Sequence, residues 1–292
     1  MRRTLQGAGS AVEFDDSLSE KHADGAALIF MDQDSRRQSD PQLIQMVGQH
    51  VKFVIMGDSI EDDEVVSLLR DMPMDHLISD LNNPDECELV VTSVKLLSGD
   101  IFGLQKYLAW GAELHQATIS SYEEKRVALL EVGRHAEMVG ARRQVRAKIE
   151  SVADELLMNA LYDAPAVRGG MSRESRIHKS SLGELPGEEA ALIRHACDGR
   201  YFAVSVEDSY GELHKKTILD HLARARAERG RPKHSENGGG AGLGLYFILS
   251  SVTRFIVNVD PGRRTEVICL FDMKQRGRDA DSYARSLHIF RT

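Results

Sequence analysis

Gly238-Gly239-Gly240-Ala241-Gly242-Leu243-Gly244-Leu245 runs directly into the apolar Tyr246-Phe247-Ile248-Leu249. Glycine leaves the backbone free to take positive φ and to approach another group closely. A helix that starts inside such a run aims unpaired N–H groups and the positive end of its dipole at an anion, phosphate above all. Taken alone, the run is explained at least as well by a flexible linker. Two earlier segments change that balance.

The first is Glu155-Leu156-Leu157-Met158-Asn159-Ala160-Leu161-Tyr162-Asp163. Upstream, Val145, Ile149, Val152 and Leu156 recur at three- and four-residue steps, which predicts an amphipathic helix. Glu155 and Asn159 are four apart and project from one face of it. A carboxylate beside a carboxamide oxygen suits a hard cation such as Mg²⁺; for the pair alone, a solvated helix face is the simpler explanation. The second is Phe202-Ala203-Val204-Ser205-Val206-Glu207-Asp208-Ser209-Tyr210-Gly211, an alternating strand that ends in a turn at Asp208. A carboxylate there can accept a hydrogen bond from an exocyclic amine such as that of adenine. It can equally be a turn-forming Asx residue.

In their order, the three segments resemble the N box and the two glycine boxes of the GHKL ATPase superfamily, over roughly residues 115 to 275. A hairpin pattern agrees with the resemblance: Arg254–Val259, the turn Asp260-Pro261-Gly262, then Thr265–Leu270. The approach to the first box is closest to the anti-sigma serine-kinase (RsbW-like) branch. A strand over His115–Ser120 leads into a helix over Glu123–Val139, broken at Gly140, and then a box-bearing helix over Arg142–Leu161. The resemblance implies ATP and Mg²⁺ as cofactors. Asn159 would hold Mg²⁺, and Glu155 would orient or deprotonate the attacking hydroxyl or water. Asp208 would read adenine with Thr265 nearby, while Gly211, Gly238, Gly240, Gly242, Leu243 and Gly244 would line the nucleotide. The segment Leu213–Gly239, with a helical portion at Asp220–Arg229, would be the ATP lid.

Two departures keep other readings open. Tyr210 and Glu212 stand where the second box usually carries glycines, so ATP binding without chemistry, gating a partner surface, is the alternative to a kinase. A histidine kinase would need a phosphoacceptor, for which His115 and His135 are the candidates. The box helix follows His135 too closely to leave room for a separate hairpin, which favours an ordinary surface helical histidine.

The front of the chain differs. Ala26–Met31 and Val51–Met56 are short apolar runs suited to buried parallel strands, with His76-Leu77-Ile78 a weaker third. Helical patterns follow at Pro41–Gln49, Asp63–Arg70 and Cys87–Leu97. The alternation predicts a small α/β layer, and residues 25–100 faintly resemble the second half of a response-regulator receiver. Asp32 falls near the acceptor position, but Ser79 occupies the place of the charge-pairing lysine. The resemblance therefore implies a degenerate receiver used for contacts.

The fold class expected is α/β: a truncated receiver-like α/β domain, then a C-terminal GHKL (Bergerat) α/β sandwich with a mixed sheet. The boundaries are a flexible N-terminal extension at 1–24, the receiver-like domain at 25–103, the ATP-binding domain at 104–275 and a tail at 276–292. Leu287-His288-Ile289-Phe290 in that tail admits either local docking or a partner contact. The 292 residues have length for two domains, and 42% hydrophobic content is ordinary for a globular chain. A net charge of −8 disfavours general nucleic-acid affinity. Cys87, Cys197 and Cys269 lack metal spacing and fit a reducing cytoplasm. No apolar run is long enough to span a bilayer, and the start lacks a signal-peptide core. The expected function is ATP/Mg²⁺-dependent phosphorylation of a serine or threonine on a regulatory protein, a sigma factor or an anti-sigma antagonist. A homodimer is compatible with it.

Overall fold

The computed structural model describes residues 1–7, 9, 11–57, 63–79, 85–165, 187–227, 241–274 and 285–292. The strands described are β1 (Leu28–Asp32), β2 (Lys52–Gly57), β3 (Met74–Ser79), β4 (His115–Ile119), β5 (Ala191–Cys197), β6 (Tyr201–Asp208), β7 (Arg254–Asp260), β8 (Arg264–Asp272) and β9 (Ser286–Arg291). The helices in the first third are α1 (Arg2–Gly7), α2 (Lys21–Gly25), α3 (Gln33–Gln38), α4 (Pro41–Val47), α5 (Asp63–Asp71) and α6 (Glu86–Ser98). Further on come α7 (Tyr122–Met138), α8 (Arg143–Met158), α9 (Lys215–Ala227) and α10 (Ala241–Ser251). The chain is α/β and divides into two compact units, one of residues 1–102 with 282–290, the other of residues 103–281.

In the N-terminal unit, β1, β2 and β3 pair in parallel. Parallel strands are buried on both faces and so read as continuous apolar runs; Phe53, Val54, Ile55 and Met56 are accordingly all buried. Carboxylates start the helices that follow. Asp32 caps α3 by accepting from Ser35 N at 2.7 Å, Asp40 caps α4 ahead of Pro41, and Asp85 caps α6 by accepting from Glu88 N at 3.1 Å. The first 24 residues, expected as a flexible extension, contribute α1, whose Leu5 is buried against Val54, Ile78 and Leu89.

The C-terminal tail docks within the same unit. β9 runs antiparallel to β3, with His76 opposite His288 and Leu77 opposite Leu287. Ser286 Oγ accepts from Ser79 N at 3.0 Å and lies 2.9 Å from Ser79 Oγ. His288 Nε2 sits 2.9 Å from Glu88 Oε1, and Lys95 Nζ lies 3.8 Å from the Phe290 ring centroid.

The C-terminal unit holds an antiparallel sheet in the order β7-β8-β6-β5-β4. Every residue of β6 from Tyr201 to Val206 is buried, and both α8 and the turn Leu104–Tyr107 pack on this strand. A charged network crosses the sheet. Glu266 of β8 is fully buried, and its Oε2 accepts from Gly103 N at 2.8 Å and from Asn258 Nδ2 at 3.0 Å. Its Oε1 lies 3.5 Å from Arg194 Nη1, which also pairs with Glu207 Oε2 at 2.9 Å. Arg194 thereby separates two carboxylates that face each other across the β6–β8 ladder. Removing one member of such a set strands the others, at a cost of about 3–5 kcal/mol. Glu266→Ala should therefore lower the urea midpoint of this unit substantially with little change in slope, whereas an unchanged midpoint would show the network to be dispensable.

Candidate functional site

Helix α8 buries Val145, Ile149, Val152 and Leu156, the stripe that the periodicity predicts, with Ala153 and Leu157 buried beside it. Its bonding differs from the expectation: after Met158 the helix widens into a single π-turn over Asn159–Asp163 before α-helical residues resume at 164–165. The Asn159 N–H is shared between the carbonyls of Glu155 and Leu156. Such widened turns concentrate at functional sites, because they rotate the following side chains away from the helical spacing. Glu155 and Asn159 are both half-buried.

Neighbouring α7 fixes α8 from the side. Lys125 pairs with Asp154 at 2.5 Å, Arg146 with Glu137 at 2.8 Å, and Gly133 leaves the room that the Glu150 carboxyl occupies. The start of α7 is set by a reciprocal cap, with Ser121 Oγ accepting from Glu124 N and Glu124 Oε2 accepting from Ser121 N.

The glycine run leads into α10 as expected, with Leu245, Ile248 and Leu249 buried beneath it. Gly242 and Leu243 lie in the first turn of that helix; Gly238 and Gly240 lie outside the described residues. Helix α10 packs on α8, and Gly244 meets Glu155: a Cβ at 244 would overlap the Glu155 carboxyl. Glu155 and the last glycine of the run are therefore in contact, although 89 positions separate them (244 − 155).

Asp208 ends β6 directly opposite Thr265 of β8. Its Oδ1 accepts from Tyr210 N at 2.9 Å. Burial raises the Asp208 carboxyl to about 6, against the opposing pull of the Tyr210 and Gly211 N–H groups and of Thr265. Thr265 Oγ1 is buried within reach of the same carboxyl, yet makes no hydrogen bond of good geometry among the described residues. Both α8 and its π-turn pack against β6.

Gly211 has a backbone role. At φ +68° it sits on the β7–β8 turn, where a Cβ would overlap Asp260 O and approach Gly262 N to 2.6 Å and Arg263 N to 2.8 Å. Tyr210 is buried at 8% exposure. Of the expected lid, residues 213–227 are described; α9 starts at Lys215, ahead of the expected Asp220, and packs on α10.

His135 differs from the sequence expectation of a surface histidine: it is buried, with Nδ1 2.8 Å from His195 Nδ1. Its partner lies on β5, a strand that the sequence pattern did not single out. In the N-terminal unit, Asp32 is engaged as the α3 cap and Ser79 by Ser286. Among the described residues no group of three or more His, Cys, Asp or Glu side chains is arranged to hold a metal ion. Nor is any helix among them long and apolar enough to cross a membrane.

No family model matches the chain, and no curated protein matches it. Among solved structures, the crystal structure of the SiaB-SiaC complex from Pseudomonas aeruginosa is similar over 62% of this chain and 99% of that one, at 14% identity and a TM-score of 0.39.

Proposed function

We propose that the C-terminal unit binds ATP with Mg²⁺ in a GHKL-type pocket and phosphorylates a serine or threonine of a regulatory protein, in the manner of an anti-sigma switch kinase. The pair Asp208 and Thr265 carries this reading: a carboxyl that burial raises to about 6, facing the buried hydroxyl of Thr265 across the β6–β8 ladder. One edge of adenine offers an amine donor next to a ring-nitrogen acceptor, and buried groups of this kind gain most from being satisfied by a ligand.

The remaining residues fit the rest of the nucleotide. Mg²⁺ keeps waters and phosphate oxygens among its ligands, so one protein oxygen, that of Asn159, is enough and no cluster of acids is required. When bound, the ion would neutralise charge on the phosphates. Backbone N–H groups from Gly238 to Gly244 would cradle them. Glu155 would take the proton of the attacking hydroxyl, and the missing side chain at 244 gives its carboxylate room beside α10. The N-terminal unit would serve as a degenerate receiver used for contacts.

A nucleotide-gated binder without chemistry is the second reading, favoured by the buried Tyr210 in the second box. Incubating the chain with labelled ATP, Mg²⁺ and candidate partner proteins separates the two. The kinase reading expects acid-stable label on the partner, reduced about 10²–10⁴-fold by Glu155→Gln. Intact ATP binding with no label on any protein favours the binder, and acid-labile label on this chain would instead point to a histidine kinase.

A further inference from the structure

Three histidines from three elements meet at the β4 edge of the C-terminal sheet: His115 of β4, His135 of α7 and His195 of β5. Their ring centroids are 4.5 Å apart for His115–His135 and 5.0 Å for each of the other two pairs. The Phe202 ring of β6 lies 5.2 Å from His135 and 6.1 Å from His195. The three histidines line a cleft of about 440 Å³, together with Glu131, Arg134 and Met138. The cluster is not built as a tri-histidine metal centre. His115 and His195 are stacked with planes only 12° apart, so their in-plane lone pairs run side by side instead of converging.

The contact between His135 Nδ1 and His195 Nδ1 is of a different kind. At 2.8 Å one nitrogen must donate and the other accept. Two imidazolium rings would set two N–H donors against each other, with no acceptor between them. The neutral pair thus joins α7 to β5, and the doubly protonated pair drives them apart.

We propose that His135 and His195, backed by His115, form a proton-sensitive latch that holds α7 on the β4–β5 edge when neutral and releases it on acidification.

The surroundings favour the neutral form. Burial lowers the His195 ring to about 3, helped by His135 and His115. Burial also lowers His135, helped by His115, with Glu113 acting in the opposite direction. On α7 itself, Glu131 and Arg134 bring one charge of each sign to the cleft. A histidine whose folded pKa is depressed favours the closed form above the ordinary value near 6.5, and that preference is lost as pH falls. The latch also bears on α8. Because α7 is tied to α8 through Lys125–Asp154 and Arg146–Glu137, release of α7 removes the lateral support of the helix that carries Glu155.

Amide hydrogen exchange of the full chain without nucleotide tests this, so its outcome does not depend on whether ATP binds. Between pH 7.5 and 5.0, protection factors over 122–138, corrected for intrinsic exchange, should fall by about tenfold per pH unit below 6.5 for each histidine protonated on opening. The fall should vanish in the double variant His135→Gln/His195→Gln, whose amides can replace the hydrogen bond without titrating. An α7 protection that stays level in the wild type would overturn the latch, as would a double variant with the same acid response. Should that variant not fold, NMR titration of the wild-type rings decides. His195 resisting protonation until α7 opens supports the latch; His195 titrating near 6.5 with α7 still protected overturns it.

Discussion

Gly211→Ala should lower the thermal midpoint of the C-terminal unit by roughly 10 °C, whereas Gly199→Ala should lower it by roughly 3 °C. Both glycines lie at positive φ, +68° and +86°, and for any other residue that conformation costs about 1–2 kcal/mol. They differ in what a methyl group would meet. Around Gly199 nothing lies within 4 Å, whereas at Gly211 the methyl would run into Asp260 O and the N–H groups of Gly262 and Arg263. Those are backbone atoms of a tight turn and cannot swing aside as a flexible side chain can. Overpacking of that kind adds about 1–3 kcal/mol. Circular dichroism melts of the two variants provide the comparison. Equal losses would mean that the β7–β8 turn yields freely, and that Gly211 is required for its conformation alone.

Asp208→Asn should have opposite effects on binding and on stability. In the ligand-free protein, burial raises this carboxyl above its ordinary value, so the protonated form is the better folded one. The stability it contributes is present below the unfolded value near 3.8 and is lost as pH rises through about 6. At pH 7 the ionised group therefore opposes folding, and Asn, which carries no charge, should melt no lower than the wild type. Binding should move the other way. A hydrogen bond from an amine to a charged acceptor contributes about 1.5–3 kcal/mol, so ATP affinity should drop by one to two orders of magnitude. In the wild type, affinity should weaken as pH falls below about 6, by up to tenfold per unit, because the neutral carboxyl no longer offers two acceptors. A residue that served only to form the turn would show no loss of affinity.

Much of this layout was legible where the signal is local. The three-and-four spacing of Val145, Ile149, Val152 and Leu156 gave α8 its buried stripe, and Asp260-Pro261-Gly262 marked the turn that β7 and β8 share. The glycine run passed into α10, which begins inside the run at Ala241. What was not legible depends on distant partners. His135 looked like a surface residue because its partner, His195, lies 60 positions away on a strand that the pattern did not single out. The final strand is six residues long and acquires meaning only opposite β3, more than 200 positions earlier. The π-turn at Asn159 begins after the periodic stripe ends at Leu156, so the apolar spacing carries no mark of it. As for the site, the contact between Glu155 and Gly244 joins two of the segments that the sequence singled out. Nor did the sequence around Asp208 show that Tyr210 is buried.

Isothermal titration of ATP and Mg²⁺ into the full chain at pH 7.5, wild type beside Asp208→Asn, bears most directly on the central claim. The proposed pocket predicts saturable binding of one nucleotide per chain in the wild type, weakened at least tenfold in the variant. No binding in the wild type, or equal affinity in the two, would contradict it.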